Sequence, residues 1–438
     1  MKFDVIVAGG GTAGCACAYV SAKLGLKVLL VEKNSFLGGS MTSSLVTPAM
    51  KTSENNINSD FYRTLMAELH KIGGQITYSD GNIGWFNPEL MKITLDKMMS
   101  DVGVQVLFNT KISDIQKTDT IIKRVLLSDY NDTKYSNNIN INNKMLSEYI
   151  ETIYLVDGTG DAKIFEKLNC DFLENFDKNK KYFQPINLRF IMSGINIEKF
   201  SKWIMELDPD RDVTTSALID GQIHLSTAYT WDTDRKWALE PVFKAGIEKG
   251  LITEEDSNYF QVFTIAGMPS ALAFNCPRII SKNDINPEDC VETSDVLTSA
   301  RASIYRLSEF FKVSFEGFED AYISQIANEL GIRVSKRIKG KYIYTIDDLR
   351  SGKTFDNPCL ISNYPVDIHS SDKDGSVLEK QEQEYMLPIE SLQSCQYENL
   401  FAVGRCISAD FEAQAALRII PSCFSMGEGL AKYMAENI

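Results

Sequence analysis

The hydrophobic pattern at the start of the chain consists of two short apolar runs separated by a helical segment. Residues 3–8 form an apolar run that ends in glycines, residues 12–24 are small and apolar with no helix breaker after Gly14, and residues 27–31 form the second run. Short, continuous apolar runs of this kind are typical of parallel strands buried on both faces. The pattern therefore predicts a strand, a helix and a second strand of one parallel sheet.

The same pattern predicts further elements up to about residue 160. They are a helix around residues 61–69, a helix from Pro88 to about Asp101, strands at 104–108 and 150–156, a strand pair within 112–127, and a solvated Asn-rich loop at 131–143. Proline is favoured in the first turn of a helix, which supports the start at Pro88.

The pattern changes at about residue 169. Isolated strand-like runs at 188–192 and 261–265 alternate with helical stretches at 293–311 and 320–330. A strand followed by glycine returns at 399–404, and a helix from about Ser425 to Glu436 ends the sequence. We expect an α/β fold in which a Rossmann-like dinucleotide-binding domain with a parallel central sheet, residues 1–168 and 385–438, contains an inserted α+β domain, residues 169–384.

Charge and cysteine usage narrow the class of protein. The 45 Lys and Arg residues against 59 Asp and Glu give a net charge of -14, which disfavours a nucleic-acid partner or an anionic membrane surface. Nine cysteines without a CxxC pair favour reduced thiols. No apolar run reaches the ~18 residues of a membrane span, and we expect a cytoplasmic protein.

Gly9, Gly11 and Gly14 form a GxGxxG motif directly between the first strand and the helix. In such motifs the first glycine permits the tight turn, the second lets the backbone approach a pyrophosphate, and the third lets helix and strand pack closely. Glu32 follows at the end of the second strand, where a carboxylate accepts hydrogen bonds from ribose hydroxyls and repels a 2′-phosphate. A glycine turn without a ligand is the alternative.

The residues after Glu32 favour FAD over NAD. An NAD-binding unit would usually continue through a helix to a third strand, whereas residues 33–42 form a polar loop with Gly38 and Gly39. Such a loop can reach the diphosphate and the flavin, although its glycines could also serve only to turn the chain.

These motifs resemble the FAD-dependent oxidoreductases that have a glutathione-reductase-like FAD domain. The resemblance rests on GGGTAGCACA at 9–18 with VEKNSFLGGSMTSSLV at 31–46, LVDGTGDA at 155–162, GIRVSKRIKGKYIYTIDDL at 331–349 with YPVDIH at 364–369, and NLFAVGRCISADFEAQAALRIIPSCFSMGEG at 399–429. It spans the whole chain, and its first and last blocks are specific.

The resemblance implies FAD as the cofactor and a role for each matching residue. The pyrophosphate would be held by Gly9, Gly11, Thr12, Ala13 and Gly14, and the adenosine would be bound by Glu32, Lys33 and Ile112. The loop of Gly38, Gly39, Ser40, Met41 and Thr42 would follow the diphosphate and the flavin edge, and the diphosphate would also be approached by Thr159, Gly160 and Asp161. The ribityl chain would face Gly404 and Arg405, and the flavin pyrimidine edge would face a helix that starts near Ser425, Met426 and Gly427. Glu428 departs from the family pattern, and it would place a carboxylate near the flavin unless it turns outward. No His or Cys lies in the 38–42 loop, so we expect FAD to be bound non-covalently.

The sequence says less about the substrate site than about the cofactor site. The chain has no second GxGxxG motif, no CxxC pair, and three histidines without metal-ligand spacing, so neither a metal site nor a disulfide-reductase mechanism is expected. Flavin oxidoreductases need a cation or proton donor near the substrate's developing charge. The candidates are Arg278, Arg337, His369 and Arg418, each of which could instead be structural, and the hypothesis is that Arg418 or Arg278 orients an anionic substrate.

We therefore predict an enzyme that transfers a hydride between FAD and a small organic substrate, with an unidentified electron donor or acceptor. A flavin-dependent hydroxylase or a C=C reductase would share the same fingerprint, and a non-catalytic FAD-binding scaffold is the alternative of another class. The sequence leaves the oligomeric state open, a homo-oligomer included.

Overall fold

The fold is taken from a computed structural model of the chain. It describes residues 1–52, 56–129, 140–141, 144–145, 149–174, 176–177, 180–181, 184–229, 237–279, 285–368 and 377–438. The helices are α1 (Thr12–Lys23), α2 (Asp60–Lys71), α3 (Pro88–Asp101), α4 (Lys163–Lys167), α5 (Ile197–Leu207), α6 (Glu240–Glu248), α7 (Cys290–Ser314), α8 (Ile346–Arg350), α9 (Phe411–Leu417) and α10 (Ile420–Glu436). In the described part of the chain, none of these helices is both long and apolar enough to cross a membrane.

A mixed sheet of seven strands carries the glycine motif. Its parallel strands lie in the order Gln105–Leu107, Val28–Val31, Lys2–Ala8, Ile150–Asp157 and Leu400–Ala402, and the hairpin Thr110–Thr118 with Ile121–Asp129 pairs antiparallel to the start of the fourth. The strand–helix–strand unit predicted at the start of the chain is thus present, and the chain returns at its end to complete the same sheet.

The first strand is buried on both faces, as its continuous apolar run predicts. Val5 and Val7 pack into one hydrophobic cluster with α1 and α10, whereas Ile6 and Ala8 pack into another on the opposite face of the sheet. Because successive strand residues point to opposite faces, both faces of this strand must be apolar, and this burial fixes where the turn at Gly9 begins.

A second, antiparallel sheet of six strands forms the inserted part. In spatial order its strands are Thr215–Ile219, Gln222–Tyr229, Phe260–Ile265, Met268–Phe274, Phe190–Ser193 and Tyr322–Ile326. One face packs against α5, α6 and α7 through a cluster rich in phenylalanine, which includes Phe243, Phe260, Phe274, Phe310 and Phe311. Such buried aromatic rings remove large apolar areas from water and dominate the stability of a core.

Short elements connect these units. The two-stranded pairs are Gln75–Ile76 with Trp85–Phe86, Asn140–Ile141 with Lys144–Met145, Phe176–Asp177 with Lys180–Lys181, Ile186–Asn187 with Arg278–Ile279, Pro358–Ser362 with Tyr385–Pro388, and Val366–Ile368 with Val377–Glu379. The 3₁₀ helices are Gly39–Met41, Glu255–Ser257 and Ile389–Ser391.

The helix predicted at residues 320–330 is wrong, because this segment contains the edge strand Tyr322–Ile326 of the second sheet. The spacing of Ile323, Ile326 and Leu330 fits a helical face, but pairing with the strand Phe190–Ser193 overrides that local preference. The Asn-rich loop predicted at 131–143 lies, apart from residues 140–141, outside the described residues.

The division of the chain at residues 169–384 stays a prediction. Side chains from Ile186 to Ile332 pack into the cluster of the second sheet, but Tyr344, Leu360 and Leu387 pack with the first. We propose that the far boundary of the inserted domain lies before Ile338, because Ile338 belongs to the same hydrophobic cluster as Phe3 and Ile6 of the first strand.

Candidate functional site

A cavity of about 1660 Å³ is lined by residues of both sheets and of the connections between them. Typical small-ligand pockets measure roughly 300–1,000 Å³. The cavity therefore has room for more than one small molecule.

Three backbone turns meet at one wall of the cavity, and they approach so closely that glycine is required. A Cβ on Gly9, whose φ is +99°, would lie 2.6 Å from the Gly158 carbonyl oxygen, and one on Gly39 would lie 2.8 Å from Gly11 Cα. Gly11 differs, because a Cβ there would meet nothing closer than 3.6 Å while the residue lines the cavity. The space beside Gly11 is thus open on the cavity side, as close approach of a ligand to the backbone requires.

The N-terminus of α1 faces the same wall. Gly11 is its N-cap residue, no side chain caps the helix, and its first turn carries no acidic residue. Thr12 and Ala13 of this turn line the cavity. Uncapped N–H groups and the positive end of the helix dipole form a binding site for an anion such as a diphosphate.

Glu32 is 5% exposed and lines the cavity at the end of the second strand. Its Oε2 accepts a hydrogen bond from the Gly10 backbone N–H (2.6 Å) and its Oε1 accepts one from the Asn34 N–H (2.8 Å). Burial raises its pKa, and the two backbone donors oppose this. Glu32 therefore also holds the glycine turn in place from the neighbouring strand.

Asp157 organises the turn that contains Thr159 and Asp161, and sequence reasoning missed it. Its buried carboxylate accepts hydrogen bonds from the Thr159 N–H (3.0 Å) and hydroxyl (2.7 Å) and from the Ile164 N–H (2.8 Å). Burial raises its pKa against these donors. An aspartate at the end of a strand and before a glycine turn was the available signal.

Arg405 joins that turn to the inserted domain. Its guanidinium donates to the Gly160 carbonyl (2.9 Å), to the Asp161 carboxylate (2.5 Å) and to the Ile332 carbonyl (2.8 Å). Burial disfavours the charge of Asp161, but Arg405 and the Ser335 hydroxyl together lower its pKa. Arg405 and Asp161 both line the cavity.

Glu329 makes a second connection between the domains beside the cavity. Its carboxylate accepts from Lys33 Nζ (2.7 Å) and the Ser43 hydroxyl (2.9 Å), and the Asn328 and Glu329 N–H groups donate to the Ser43 carbonyl (2.8 and 3.1 Å). Burial opposes the charge of Glu329, but Lys33 and Ser43 lower its pKa. The predicted adenosine residue Lys33 is thus tied to the inserted domain.

The last helix corrects one sequence prediction. It begins at Ile420 with a proline in its first turn, not near Ser425, and Ile419, Ile420 and Cys423 line the cavity. Ser425, Met426 and Gly427 lie inside the helix and are buried. A Cβ on Gly427 would lie 2.2 Å from the Ala13 carbonyl oxygen, so this glycine lets α10 pack against α1.

Glu428 turns away from the cavity. It is 1% exposed, and its carboxylate accepts from the Phe61 N–H in the first turn of α2 (2.8 Å) and from Lys432 Nζ (2.8 Å). No side chain of the N-cap residue Ser59 caps α2, so Glu428 takes over that function from α10. The family departure at this position has a structural explanation.

The structure brings most of the predicted cofactor residues to the cavity wall. Those that line it are Gly9, Gly11, Thr12, Ala13, Glu32, Lys33, Gly39, Ser40, Ile112, Thr159, Gly160, Asp161, Gly404 and Arg405. The others pack behind the wall: a Cβ on Gly14 would lie 2.0 Å from the Gly9 carbonyl oxygen, Gly38 (φ +106°) turns the chain, Met41 is buried, and the Thr42 hydroxyl donates to the Leu37 carbonyl (2.7 Å).

The four catalytic candidates separate into different environments. Arg418 lines the cavity, and Arg278 packs directly behind it with its guanidinium carbon 3.8 Å from the centre of the Tyr259 ring, which does line the cavity. Arg337 is buried away from the wall, where it donates to the carbonyls of Ala409 (3.0 Å) and Glu174 (2.9 Å). His369 lies outside the described residues.

Two more arginines, Arg189 and Arg333, line the same part of the cavity, and sequence reasoning missed both. Burial and the neighbouring guanidinium groups of Arg418 and Arg278 lower the pKa of Arg333 to about 9, with Asp367 opposing the shift. Burial lowers the pKa of Arg189 to about 10. No local motif marks these residues, because they come from distant segments.

A neutral hydrogen-bond network continues this wall. The Tyr259 hydroxyl donates to Gln261 Oε1 (2.9 Å), Asn275 Nδ2 donates to the same oxygen (3.0 Å), and Asn187 Nδ2 donates to Asn275 Oδ1 (2.5 Å). Burial raises the pKa of Tyr259, and the surrounding Arg278, Arg333 and Arg189 oppose this. All four network residues line the cavity.

The described residues contain no group of three or more His, Cys, Asp or Glu side chains that could hold a metal ion.

Comparison with known proteins gives a family and several partial relatives. The model of the family described as FAD dependent oxidoreductase matches residues 4–436. The mitochondrial glycerol-3-phosphate dehydrogenase of Rattus norvegicus is 35% identical over 75 residues, which is 16% of this chain and 10% of that protein. The digeranylgeranylglycerophospholipid reductase of Methanococcus vannielii is 25% identical over 125 residues, 27% of this chain and 32% of that protein. The matches therefore span a tenth to a third of these curated relatives.

Solved structures give distant likenesses over the whole chain. A geranylgeranyl bacteriochlorophyll reductase-like protein from Thermoplasma acidophilum has a TM-score of 0.42 at 14% identity, covering 99% of this chain and 78% of that one. The flavin-dependent brominase Bmp2 has a TM-score of 0.47 at 13% identity, covering 100% and 79%.

Proposed function

Because the chain belongs to the FAD dependent oxidoreductase family, it is an enzyme that uses FAD, and we propose that it transfers a hydride between non-covalently bound FAD and a small organic substrate held in the same cavity. The observation that carries the proposal is the continuity of one cavity from the glycine turns to the arginine-lined wall. A cofactor at one end and a substrate at the other would then lie in contact.

The residues of the first wall fit the cofactor. Gly11 leaves open space beside its backbone, and the uncapped N-terminus of α1 offers N–H groups to a diphosphate. Glu32, with its carboxylate at the cavity edge, would accept a ribose hydroxyl while it holds the Gly10 turn. We propose that the residues listed above as lining this wall bind FAD, and that the glycine loop at Gly39 and Ser40 follows its length.

When bound, FAD supplies hydride transfer at the flavin N5 atom. The chain itself supplies position and surroundings. Ile419 and Ile420, at the start of α10, and Val403 give the cavity apolar surface that excludes water from the reacting atoms. The Tyr259, Asn275 and Gln261 network offers donors and acceptors that orient a polar group of the substrate.

Gly11→Ala tests the cofactor half of the proposal. The nearest protein atom to the new methyl group would be 3.6 Å away, which is ordinary contact, so the variant should fold with an unchanged melting temperature. The methyl group would stand where the backbone has to approach the diphosphate, and we expect FAD affinity to fall at least about tenfold. Gly25→Ala in the exposed turn after α1 is the control: at φ +91° the new side chain strains the backbone and should lower the melting temperature, but FAD affinity should stay unchanged. Unaltered FAD binding in Gly11→Ala would contradict the assignment.

An anaerobic screen tests the reaction. The FAD-loaded protein is mixed with small acids, alcohols, amines and reduced nicotinamides, and bleaching of the oxidised flavin absorbance reports hydride transfer to FAD. Reoxidation by unsaturated acids reports the reverse direction. In a separate aerobic assay, oxygen consumption coupled to substrate hydroxylation would instead identify a hydroxylase. A flavin that no donor reduces would favour the non-catalytic scaffold.

A further inference from the structure

Three arginines line one wall of the cavity, and a fourth lies immediately behind it. Arg189, Arg333 and Arg418 line it, and Arg278 stacks on Tyr259 immediately behind. Among the described carboxylates that line the cavity, Asp367 is the one beside this group; its Oδ2 lies 3.4 Å from Arg418 Nη2. The guanidinium groups of Arg333, Arg418 and Arg278 thus lie near one another and near Asp367.

The hydrogen bonds of these arginines leave part of their donor capacity directed at the cavity. Arg333 Nη1 donates to the Pro185 carbonyl (2.6 Å), and Arg418 Nη2 donates to the Asp367 carbonyl (3.0 Å). Among the described residues, no further hydrogen-bond partner is found for the Arg333 guanidinium, although Arg333 lines the cavity. A guanidinium has five N–H donors, so Arg333 can donate to an oxyanion in the cavity as well as to the Pro185 carbonyl.

Burying like charges together is unfavourable unless an opposite charge joins them. The effect is visible at Arg333, where burial and the charges of Arg418 and Arg278 lower the pKa to about 9. An oxyanion between these side chains would remove the repulsion. It would also use the planar fork of arginine, which matches the two oxygens of a carboxylate or phosphoryl group.

We propose that Arg333 and Arg418, supported by Arg278, bind an oxyanion group of the substrate, so that the substrate of this oxidoreductase is an organic acid or a phosphate ester. The inference rests on the proposed function for its placement of the substrate, but binding of the anion does not depend on turnover. Ile368, Leu378 and Ile419 line the cavity beside these residues, so an apolar body next to the charged group fits the wall.

The test is calorimetric titration of the oxidised, FAD-loaded enzyme with three probes of similar size, benzoate, phenyl phosphate and the neutral benzamide. Benzoate or phenyl phosphate should bind at least about tenfold more tightly than benzamide, and the preferred probe separates a carboxylate from a phosphoryl substrate. Arg333→Met should weaken the preferred anion about 10- to 100-fold, as expected for lost charge-assisted hydrogen bonds. Arg301→Met, which removes an exposed arginine of α7, should leave binding unchanged.

Asp367→Asn provides a second test, in which the affinity for the anion is expected to rise instead of fall. This test does not depend on the folding of the Arg333→Met variant. It removes the competing carboxylate, so the anion should bind several-fold more tightly. Equal affinity for benzoate, phenyl phosphate and benzamide, or unchanged anion affinity in a folded Arg333→Met variant with full FAD content, would overturn the inference. Reduction of the flavin by neutral donors without anion binding would overturn it while leaving hydride transfer intact. Anion binding without reduction by any donor would leave the inference intact and contradict hydride transfer.

Discussion

The contact between α10 and α1 gives the sharpest structural prediction. A Cβ at Gly427 would lie 2.2 Å from the Ala13 carbonyl oxygen, 2.9 Å from the Cys17 nitrogen and 3.0 Å from Ala16 Cβ. Favourable contact between heavy atoms lies at about 3.5–4.0 Å, so Gly427→Ala has to separate the two helices by about 1 Å. Backbone atoms on α1 cannot rotate out of the way as a side chain could.

Two opposing effects decide the size of the loss. Alanine is favoured over glycine inside a helix by about 1 kcal/mol, whereas overpacking a core costs about 1–3 kcal/mol and more where backbone must move. We therefore expect a net loss of about 2 kcal/mol in the free energy of unfolding. Because Ala13 also lines the cavity, moving α1 should weaken FAD binding about tenfold as well.

The assay combines urea unfolding of the FAD-free protein with titration of FAD by quenching of its fluorescence. Ala302→Gly on the exposed face of α7 is the control, since it measures the glycine–alanine difference of a helix without a contact. A Gly427→Ala variant that is as stable as the parent would refute the tight contact. Lost FAD affinity with unchanged stability would instead support the sequence-based placement of Gly427 at the flavin.

Three further predictions concern charge and burial. Glu428→Ala removes the acceptor for the Phe61 N–H and should destabilise the protein by about 1–3 kcal/mol in urea unfolding; Glu428→Gln, which keeps an acceptor oxygen, should lose less, and equal losses would contradict the capping role. Burial lowers the pKa of His224 to about 4, below its unfolded value of about 6.5, so stability should be full above pH 6.5 and fall as the pH drops towards 4; His224→Gln should flatten that part of the stability curve, and an unchanged slope would contradict the assignment. Arg333 is surrounded by Arg418, Arg278, Asp367 and Tyr259 and has a pKa of about 9, so benzoate affinity should decline as the pH rises through 9 in the parent. Full affinity at pH 10 would contradict either the lowered pKa of Arg333 or its role in anion binding.

The cofactor site at the start of the chain was predictable because the residues that form it lie close together in the sequence. Residues 3–14 contain the strand, the turn and the helix start within a few residues, and Glu32 completes the unit one strand later. The prediction of an FAD-dependent oxidoreductase with an α/β fold is confirmed by the family match over residues 4–436 and by the observed sheet. The glutathione-reductase-like character of the FAD domain stays a prediction, as do the individual roles of the site residues.

The predicted start of the last helix, near Ser425, was wrong, although the sequence contains a signal for the correct start. Gly427 and Gly429 suggest a turn, but Pro421 marks the first turn of α10, where a missing N–H costs nothing. Both glycines serve close packing, Gly427 against α1 and Gly429 against Cys359, whose Cβ would be 2.8 Å from an added methyl group. A glycine inside a helix can therefore indicate close packing against a neighbouring backbone rather than contact with a ligand. These two roles can be distinguished only from the three-dimensional structure.

The sequence predicted Arg278 and Arg418 of the arginine-lined wall but not Arg189 and Arg333, because the members of the wall share no local pattern. Arg189 lies just before the strand Phe190–Ser193, Arg333 follows the edge strand Tyr322–Ile326, and Arg418 ends α9. Each taken alone resembles a surface arginine, and Arg337, a candidate of equal standing in the sequence, is bound to two backbone carbonyls instead. Arg333 and Arg337 differ in the charge of the groups that surround them. Backbone carbonyls accept hydrogen bonds from Arg337, whereas Arg333 lies near two other guanidinium groups and one carboxylate, Asp367, and this excess of positive charge favours the binding of an anion.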